Sequence, residues 1–462
     1  MRLEDLRQEI MNDSLLSRLS CLAKREETPL FLVGGYLRDL LLRKQRKDYD
    51  FALPRESISF ISVIEEAFRL HFFQSGKEEK TTTFRILKDE LTMDVSLFQG
   101  QTLEEDLRRR DFTINTLAYS LRDGTWHWAE GALEDIEHRR IRAVTDRSID
   151  LDPLRMLRAV RYLCTLDGFS MDEKLEKEIS SKKDLILGIP GERIKTELDH
   201  ILSSAQRKAG IKILYETGLL LTLFPELKGL EHLAQNGHHH LNALSHTLLA
   251  VEKISWAIEW ARLKGKDLSL SQEDLICLGY ALLFHDIGKQ NTYSKDEKGK
   301  VHFYHHETFS CQAAAQIMER LRFSNLMRER VLRLIRNHMR ILNLSNETKE
   351  TAFKRLVHQV GGETSLLVIH SLSDKEASRG ILSYQNDDEV ENHCLHLLEL
   401  LKQEEIVHPL PLITGKDVLA LGYHSGPRVG RILHFIRMKQ VEGEIKTREE
   451  ALRMLREIFS LE

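Results

Sequence analysis

The chain has 462 residues, of which 42% are hydrophobic and 30% are charged, and its formal net charge is −4. This length predicts several domains. The sequence has no apolar run of about 18 residues, which argues against a membrane-spanning helix. The small net charge excludes a globally basic protein, so any RNA contact requires a local basic surface. Scattered cysteines without a C-x-x-C pair, and a charged amphipathic N-terminus in place of a signal peptide, predict a cytoplasmic protein.

The pattern of apolar residues changes at about residue 145. Before this point short strands alternate with helices, and from Asp152 onward the sequence is almost wholly helical. In the segment 91–98 apolar residues occupy every second position, and Asp94 lies on the opposite, polar face. The sequence therefore predicts an α+β head followed by a long all-α body.

Residues 31–50, FLVGGYLRDLLLRKQRKDYD, are the most informative segment of the head. An apolar strand ends at Gly34 and Gly35, and a helical pattern follows from Tyr36. A glycine pair at such a turn lets a triphosphate approach backbone N–H groups, and the following helix N-terminus favours anions. Arg38, one turn into the helix, could hold a phosphate as a planar fork.

Two carboxylates, Asp48 and Asp50, begin the next predicted strand. Because side chains alternate along a strand, they share one face. Beside a phosphate-binding turn they could hold a pair of Mg²⁺ ions that activate a hydroxyl and neutralise leaving pyrophosphate. Asp94 is a candidate third carboxylate, either as base toward an RNA 3′-hydroxyl or as part of the metal site. The alternative interpretation makes all of them solvent-facing residues.

Two arginine-rich segments follow. In residues 102–121 the run Arg108–Arg110 could hold phosphates and Asn115 could contact a sugar or base, whereas the simpler alternative is a basic helix start capped by Asp111.

In residues 150–169 Asp152 is predicted to be a helix N-cap and Pro153 the first helical residue. Arg155 and Arg158 share a face, and Arg161 follows. An Asp and an Arg at this spacing could present an acceptor and a donor to a nucleobase edge. Capping alone would also account for Asp152.

The body contains a second group of candidate functional residues, made of histidines and aspartates. A His-Asp pair ends an apolar helix, with a histidine upstream and an aspartate far downstream. The residues are His246, His285, Asp286 and Asp374. Two imidazoles and two carboxylates could surround a divalent ion such as Mn, Ni, Fe or Mg. A purely structural role for buried histidines is the alternative.

The segments LVGGYLRDLLLRKQRKDYD, EEDLRRRDFTINTLAYSL, DPLRMLRAVRYL and GERIKTEL together resemble the class II tRNA nucleotidyltransferase and poly(A) polymerase family. The histidine pattern resembles the HD metal-dependent phosphohydrolase domain. The resemblance implies a head of the DNA polymerase β type with a mixed sheet, and an HD-type helical domain in the body. The implied layout is a nucleotidyltransferase head at 1–145, a helical neck for nucleotide selection and RNA binding at 146–236, an HD-type domain at 237–400 and a tRNA-contacting tail at 401–462.

The resemblance also assigns roles to individual residues. Gly34, Gly35 and Arg38 would bind the triphosphate, and Asp48 and Asp50 would hold Mg²⁺. The residues that would contact ribose and phosphate are Arg110, Asp111 and Asn115. Asp152 and Arg155 would select the base, and Arg158 and Arg161 lie on the same nucleotide-binding segment. In the HD-type site the ligands would be His246, His285, Asp286 and Asp374, with His306 and His338 as accessory positions.

The implied activity is the addition or repair of the 3′-terminal CCA of tRNA from CTP and ATP without a nucleic acid template. Two departures leave open an enzyme that adds only A or only CC. Leu151 stands where the family has a glutamate before Asp152, and AEGALEDIE (129–137) replaces a loop with a glycine pair and an Asp-Leu. A different class, an HD-type phosphohydrolase acting on nucleotides or RNA ends, is the further alternative.

Overall fold

The computed structural model describes residues 3–44, 48–75, 82–88, 91–233, 242–345, 347–379 and 387–459. The chain divides into two compact units. One unit comprises residues 1–189 and 216–219, and the other comprises residues 190–215 and 220–462.

A seven-stranded mixed sheet is the centre of the first unit. Its order is β3-β4-β5-β2-β1-β6-β7, and of its neighbouring pairs only β2 and β5 run parallel. The strands are β1 Phe31–Val33, β2 Asp48–Leu53, β3 Phe73–Ser75, β4 Thr83–Lys88, β5 Leu91–Leu97, β6 Ala118–Ser120 and β7 Trp126–His127. This sheet confirms the predicted α+β head.

Helices surround the sheet and continue beyond it. They are α1 Leu3–Asn12, α2 Ser14–Arg25, α3 Gly35–Leu41, α4 Phe60–Phe68, α5 Leu103–Arg108, α6 Ala132–Glu137, α7 Ser148–Leu151, α8 Arg155–Thr165 and α9 Glu173–Lys182. A small parallel pair, β8 Arg140–Ile141 and β9 Ser170–Met171, adjoins α8. One face of α8 is apolar and buried, including Met156, Leu157 and Val160, so its arginines lie on the opposite side.

In the residues that the structure describes, the second unit is helical apart from one hairpin, β10 Tyr293–Lys295 with β11 Val301–Phe303. From residue 191 onward the helices are α10 Gly191–Ser203, α11 Arg207–Glu216, α12 Leu219–Leu223, α13 Ala243–Glu252, α14 Ile254–Leu263, α15 Gln272–Phe284, α16 Lys289–Thr292, α17 His306–Arg320, α18 Asn325–Leu342, α19 Glu350–Val360, α20 Thr364–Ala377, α21 Asp387–Leu400, α22 Glu404–Val407, α23 Gly415–Ala420, α24 Pro427–Glu442 and α25 Arg448–Ile458.

Helix α15 is the central helix of this unit. It starts at a capping box formed by Ser271 and Asp274, and every residue from Cys277 to Phe284 is buried. It packs against α10, α13, α18 and α20, as expected of a helix that is apolar on all sides. Within the part of the chain that the structure describes, no helix has the length and apolar character needed to cross a bilayer.

Candidate functional sites

Three carboxylates project from two adjacent strands of the head. Asp50 on β2 is the register partner of Asp94 on β5, and Asp48 lies two residues earlier on β2. Met93 and Val95 are fully buried on the other face of β5, which confirms the alternation predicted for this strand. The parallel pairing thus brings together residues that are more than forty positions apart in sequence.

The surroundings of these carboxylates favour a cation. Burial raises the pKa of Asp50 to about 6; Arg110 opposes the rise, and the charges of Asp94 and Asp48 add to it. Asp94 accepts two hydrogen bonds from Arg85, at 2.7 Å from Nε and 2.6 Å from Nη2. A crowded set of carboxylate oxygens is the donor set that Mg²⁺ prefers.

The glycine turn lies against the same carboxylates. Gly34 has φ +71° and ψ −127°, and a Cβ atom there would lie 3.0 Å from Arg110 Nη1. Gly35 begins α3, and a Cβ at either glycine would be 3.9 Å from an Asp50 carboxylate oxygen. Arg38, one turn later, is buried and donates from Nη1 to Asn115 Oδ1 at 2.7 Å. The backbone of Gly34 and Gly35, which carries no side chains, and the fixed guanidinium of Arg38 therefore lie close to the same carboxylates.

A buried polar network lies beside the glycine turn, where a Cβ atom at Gly34 would be 3.9 Å from the Asn115 carbonyl oxygen. Asn115 Nδ2 lies 2.9 Å from Asp111 Oδ1 and 3.1 Å from the Tyr162 hydroxyl, while Arg158 pairs with Asp111 Oδ2 at 2.8 Å. Burial opposes ionisation of Asp111, but Arg158 together with Asn115 and the Phe112 N–H lowers its pKa. Asp111 caps neither adjoining helix, so the alternative of a surface helix cap is wrong.

The segment around Asp152 differs in detail from the prediction. Helix α8 begins at Arg155 with Leu154 as N-cap, two residues later than expected, because Asp152 forms a turn whose Oδ1 accepts the Leu154 N–H at 3.2 Å. The Arg155 guanidinium donates to the main-chain carbonyls of Ser148, at 3.2 Å, and of Arg109. Carbonyl oxygens from two other segments therefore fix this arginine.

One cleft of about 630 Å³ collects the nucleotide-binding candidates. Its lining includes Gly34, Gly35, Arg38, Asp48, Asp50, Arg110, Asp111, Asn115, Asp152, Arg155, Arg158 and Arg161.

Sequence reasoning missed Tyr162, a buried lining residue whose ring lies 4.5 Å from the Arg161 guanidinium. Its position directly after Arg161 was the available signal. Arg109 also lines the cleft, whereas Arg108 lines a separate pocket.

The four predicted HD-type residues meet in the interior of the second unit. His246 Nε2 lies 2.9 Å from Asp374 Oδ1, and His285 Nε2 lies 3.2 Å from Asp286 Oδ2. His306 Nε2 lies 3.3 Å from the other oxygen of Asp286. All five side chains are buried. Burial opposes the charge on Asp374, but His285 and His246 hold the pKa of that carboxyl well below its usual range.

The imidazoles are oriented by the backbone. Nδ1 of His285, of His306 and of His338 each lies 2.7–2.8 Å from the carbonyl oxygen three residues earlier, which requires an Nδ1–H donor. The Nε2 atoms then face the carboxylates as potential metal ligands, the arrangement common in metal sites. Sequence reasoning missed Lys289, 2.7 Å from Asp286 Oδ2, and the buried His370, whose ring centroid lies 5.3 Å from that of His285.

Three family models match the chain: "Poly A polymerase head domain" over residues 30–142, "Probable RNA and SrmB- binding site of polymerase A" over 168–230 and "HD domain" over 243–378. A CC-adding tRNA nucleotidyltransferase of Thermus thermophilus is 33% identical over 433 residues, covering 91% of this chain and 92% of that protein. An A-adding tRNA nucleotidyltransferase of Deinococcus radiodurans is 30% identical over 432 residues, covering 91% and 93%.

The fold is also that of a solved structure, the Thermotoga maritima CCA-adding enzyme complexed with tRNA. The TM-score is 0.63 at 20% identity, and the alignment covers 98% of each chain.

Proposed function

Because this chain belongs to the tRNA nucleotidyltransferase family, we propose that it builds or repairs the 3′-CCA end of tRNA from CTP and ATP. The supporting observation is one cleft whose lining includes Asp48, Asp50, the glycine turn and the predicted arginines. Asp94 does not line it but is the register partner of Asp50. The domain layout given above, with its head at 1–145, neck at 146–236, HD-type domain at 237–400 and tail at 401–462, is part of the proposal. We place the reaction in the cytoplasm, in keeping with five cysteines that are all free thiols.

In this proposal separate groups of residues bind the metal ions and the triphosphate. Asp48 and Asp50 would hold Mg²⁺, which supplies activation of the RNA 3′-hydroxyl and charge neutralisation of the leaving pyrophosphate. The backbone at Gly34 and Gly35 and the guanidinium of Arg38 would orient the triphosphate. Asp94 would accept the proton of the attacking hydroxyl or complete the metal site.

Base selection is proposed for Asp152 and Arg155, which line the same cleft. Asp152 offers a carboxylate acceptor and Arg155 a donor, and the carbonyls of Ser148 and Arg109 hold that donor in place. Arg158 is fixed by Asp111, so the donors are preorganised before a nucleotide arrives. Arg110, Asp111 and Asn115 would contact ribose and phosphate.

The test is incorporation of labelled CTP or ATP, alone and together, into tRNAs that end before CCA, after C and after CC. Extension from every start would identify a complete CCA-adding enzyme; extension only of the CC-ended tRNA, or only of the shorter ends, would identify one half of a two-enzyme system. The double variant Asp48→Ala, Asp50→Ala should lose incorporation and keep its fold. Retained incorporation would refute the assignment.

A second candidate function is favoured by the buried histidine and aspartate cluster of the second unit. We propose that His246, His285, Asp286 and Asp374 hold a divalent ion, Mn, Ni, Fe or Mg, and that this domain hydrolyses phosphate esters of nucleotides or RNA ends. The double variant His285→Ala, Asp286→Ala should lose metal-dependent hydrolysis while still incorporating nucleotides, which would separate the two sites. Hydrolysis that survives in this variant would refute the second function.

A further inference from the structure

A short hairpin next to the HD-type site carries a pair of aromatic side chains. Tyr293 on β10 is the register partner of Phe303 on β11, and the centroids of their rings lie 6.0 Å apart. Tyr293 is 43% exposed. Strand β11 ends at Phe303, three residues before His306 of the histidine and aspartate cluster. The hairpin therefore presents an accessible aromatic ring close to this cluster in sequence.

Two contacts of Phe303 join the hairpin to the cluster in space. Its main-chain carbonyl oxygen lies 2.8 Å from Nδ1 of His306, and Nε2 of that imidazole lies 3.3 Å from Asp286 Oδ1. Its ring centroid lies 5.5 Å from the Lys289 ammonium, which lies 2.7 Å from Asp286 Oδ2. Both routes reach Asp286 through a single intervening residue. The aromatic pair is therefore held in a fixed position beside the cluster.

The groups between the cluster and the exposed ring come in the order that a nucleotide requires. At the inner end Asp286 would hold the ion that binds a phosphoryl group. The ammonium of Lys289 comes next, and the rings of Phe303 and Tyr293 follow at the outer end, where a nucleobase can stack on an aromatic face. A second ammonium, that of Lys295, lies 5.9 Å from the Tyr293 ring centroid. A ligand with a phosphate at one end and a base at the other matches this row, whereas a base-free ester leaves the rings unused.

A purely structural role accounts for only part of these contacts. A cross-strand aromatic pair stabilises an antiparallel hairpin, and this explains why Tyr293 and Phe303 lie side by side. The ring of Tyr293 would stabilise the fold most if it were buried, yet almost half of this residue is exposed. Hairpin stability also gives no reason for the aromatic pair to begin at Lys289, a residue that contacts the cluster.

We propose that Tyr293 and Phe303 bind the nucleobase of the phosphate ester that the HD-type site hydrolyses. The substrate class is then a nucleoside phosphate, either free or at the end of an RNA chain, and not a sugar phosphate without a base. This inference rests on the proposed hydrolase function and adds to it the recognition of the base.

The kinetic test compares adenosine 5′-monophosphate with ribose 5-phosphate, two esters that differ only in the base. In the Mn²⁺-loaded, full-length protein kcat/KM should be higher for the nucleotide. Tyr293→Leu should lower this preference by about five- to tenfold, through KM for the nucleotide, because stacking acts on binding. Tyr293→Phe keeps the ring and should keep the preference. Tyr304→Leu is the matched control: Tyr304 is 66% exposed, and its ring stacks on that of His302, at 5.0 Å.

Fluorine NMR on protein that contains 3-fluorotyrosine provides a readout that needs no hydrolysis. The Tyr293 resonance is assigned by its absence in Tyr293→Phe. Adenosine 5′-monophosphate should shift this resonance and ribose 5-phosphate should not. Tyr293 belongs to the second unit, whereas the nucleotide-binding tyrosine of the head, Tyr162, belongs to the first, so the two sites give separate signals. A 5′-phosphorylated RNA trinucleotide, added in the same way, distinguishes the end of an RNA chain from a free nucleotide.

The possible results separate this inference from the hydrolase function. A Tyr293 resonance that neither the nucleotide nor the trinucleotide moves overturns the inference, as does a parent without preference for the nucleotide or a preference that survives Tyr293→Leu. Cleavage of both esters in those cases leaves the hydrolase function intact. A shifted Tyr293 resonance without Mn²⁺-dependent hydrolysis of either ester refutes the hydrolase and retains the base-binding pair. Circular dichroism checks each variant, and the resonance in the parent decides if Tyr293→Leu does not fold.

Discussion

Arg85 and Asp94 lie opposite each other on antiparallel strands β4 and β5 and form an ion pair with two hydrogen bonds. Asp94 is in turn the register partner of Asp50 on its other side. The carboxylate beside Asp50 is therefore held in place by Arg85, and neither Asp94 nor Arg85 lines the cleft itself. The orientation and the charge of Asp94 both depend on Arg85.

We expect Arg85→Met to lower kcat for nucleotide incorporation by about 10- to 100-fold, because the freed Asp94 side chain loses its fixed position. The half-saturating Mg²⁺ concentration should fall, because the variant removes a positive charge beside the carboxylates. Steady-state kinetics across a Mg²⁺ series measures both. Arg122→Met is the matched control: Arg122 is also 41% exposed and pairs with Asp123. Unchanged kcat and Mg²⁺ dependence would show that the ion pair of Arg85 with Asp94 has no role in catalysis.

The raised pKa of Asp50 predicts that removing its charge stabilises the fold, although the same carboxylate is needed for activity. A carboxyl with a pKa of 3.8 in the unfolded chain and about 6 in the fold binds its proton more tightly when folded. The contribution of Asp50 to the free energy of unfolding is therefore fully present at low pH and is lost as the pH rises from the lower of these values through the higher. Without divalent ions, Asp50→Asn should stabilise the head by about 2–3 kcal/mol at pH values above the higher one.

Thermal unfolding in a chelator at about pH 4 and about pH 7.5 checks this sign. The gain should appear only at the higher pH, and incorporation should be lost. Asp48→Asn is the comparison, since Asp48 is exposed and should yield a smaller gain. A variant that is less stable than the parent at the higher pH would contradict the prediction.

Leu151 provides a test of base selection. Its side chain is 60% exposed at the end of α7, and Arg155 is held by two carbonyls rather than by this residue. Leu151→Glu adds a carboxylate four positions before Arg155 in the sequence, and we expect it to compete for that guanidinium. An exposed ion pair is worth about 1 kcal/mol or less, so we expect the ATP to CTP ratio of kcat/KM to change by about two- to fivefold.

Competition kinetics with both nucleotides measures that ratio. Leu187→Glu is the control, because Leu187 is 65% exposed in the same unit and does not line the cleft. An unaltered ratio in Leu151→Glu would mean that the carbonyls alone set the position of Arg155.

Features defined by local sequence could be predicted, whereas features that depend on strand register or on distant contacts could not. The glycine turn and the pair Asp48 and Asp50 follow from a strand, a turn and a helix within twenty residues. Arg85 could not be assigned, because its partner depends on which residue of β5 faces β4. The start of α8 was misplaced because the Asp152 side chain stabilises a turn as readily as a helix cap.

In the second unit the ligands could be predicted from types and order, but Lys289 could not. It is the first residue of α16, shortly after the His-Asp pair, and only the fold shows its ammonium 2.7 Å from Asp286 Oδ2. Both side chains are nearly buried, at 10% and 1% exposed. A buried carboxylate that loses its partner is strongly destabilising, by roughly 3–5 kcal/mol.

Lys289→Met should therefore destabilise the metal-free protein by roughly that amount. Bound Mn²⁺ supplies a replacement positive charge at Asp286, so it should raise the unfolding temperature of the variant by more than that of the parent. Thermal unfolding in chelator and in Mn²⁺ measures the difference. Lys253→Met, which breaks the pair with Glu376, a residue that is not one of the proposed ligands, should respond to Mn²⁺ as the parent does. Equal Mn²⁺ shifts in parent and Lys289→Met would contradict binding of the ion at Asp286, because an ion there should offset the missing ammonium.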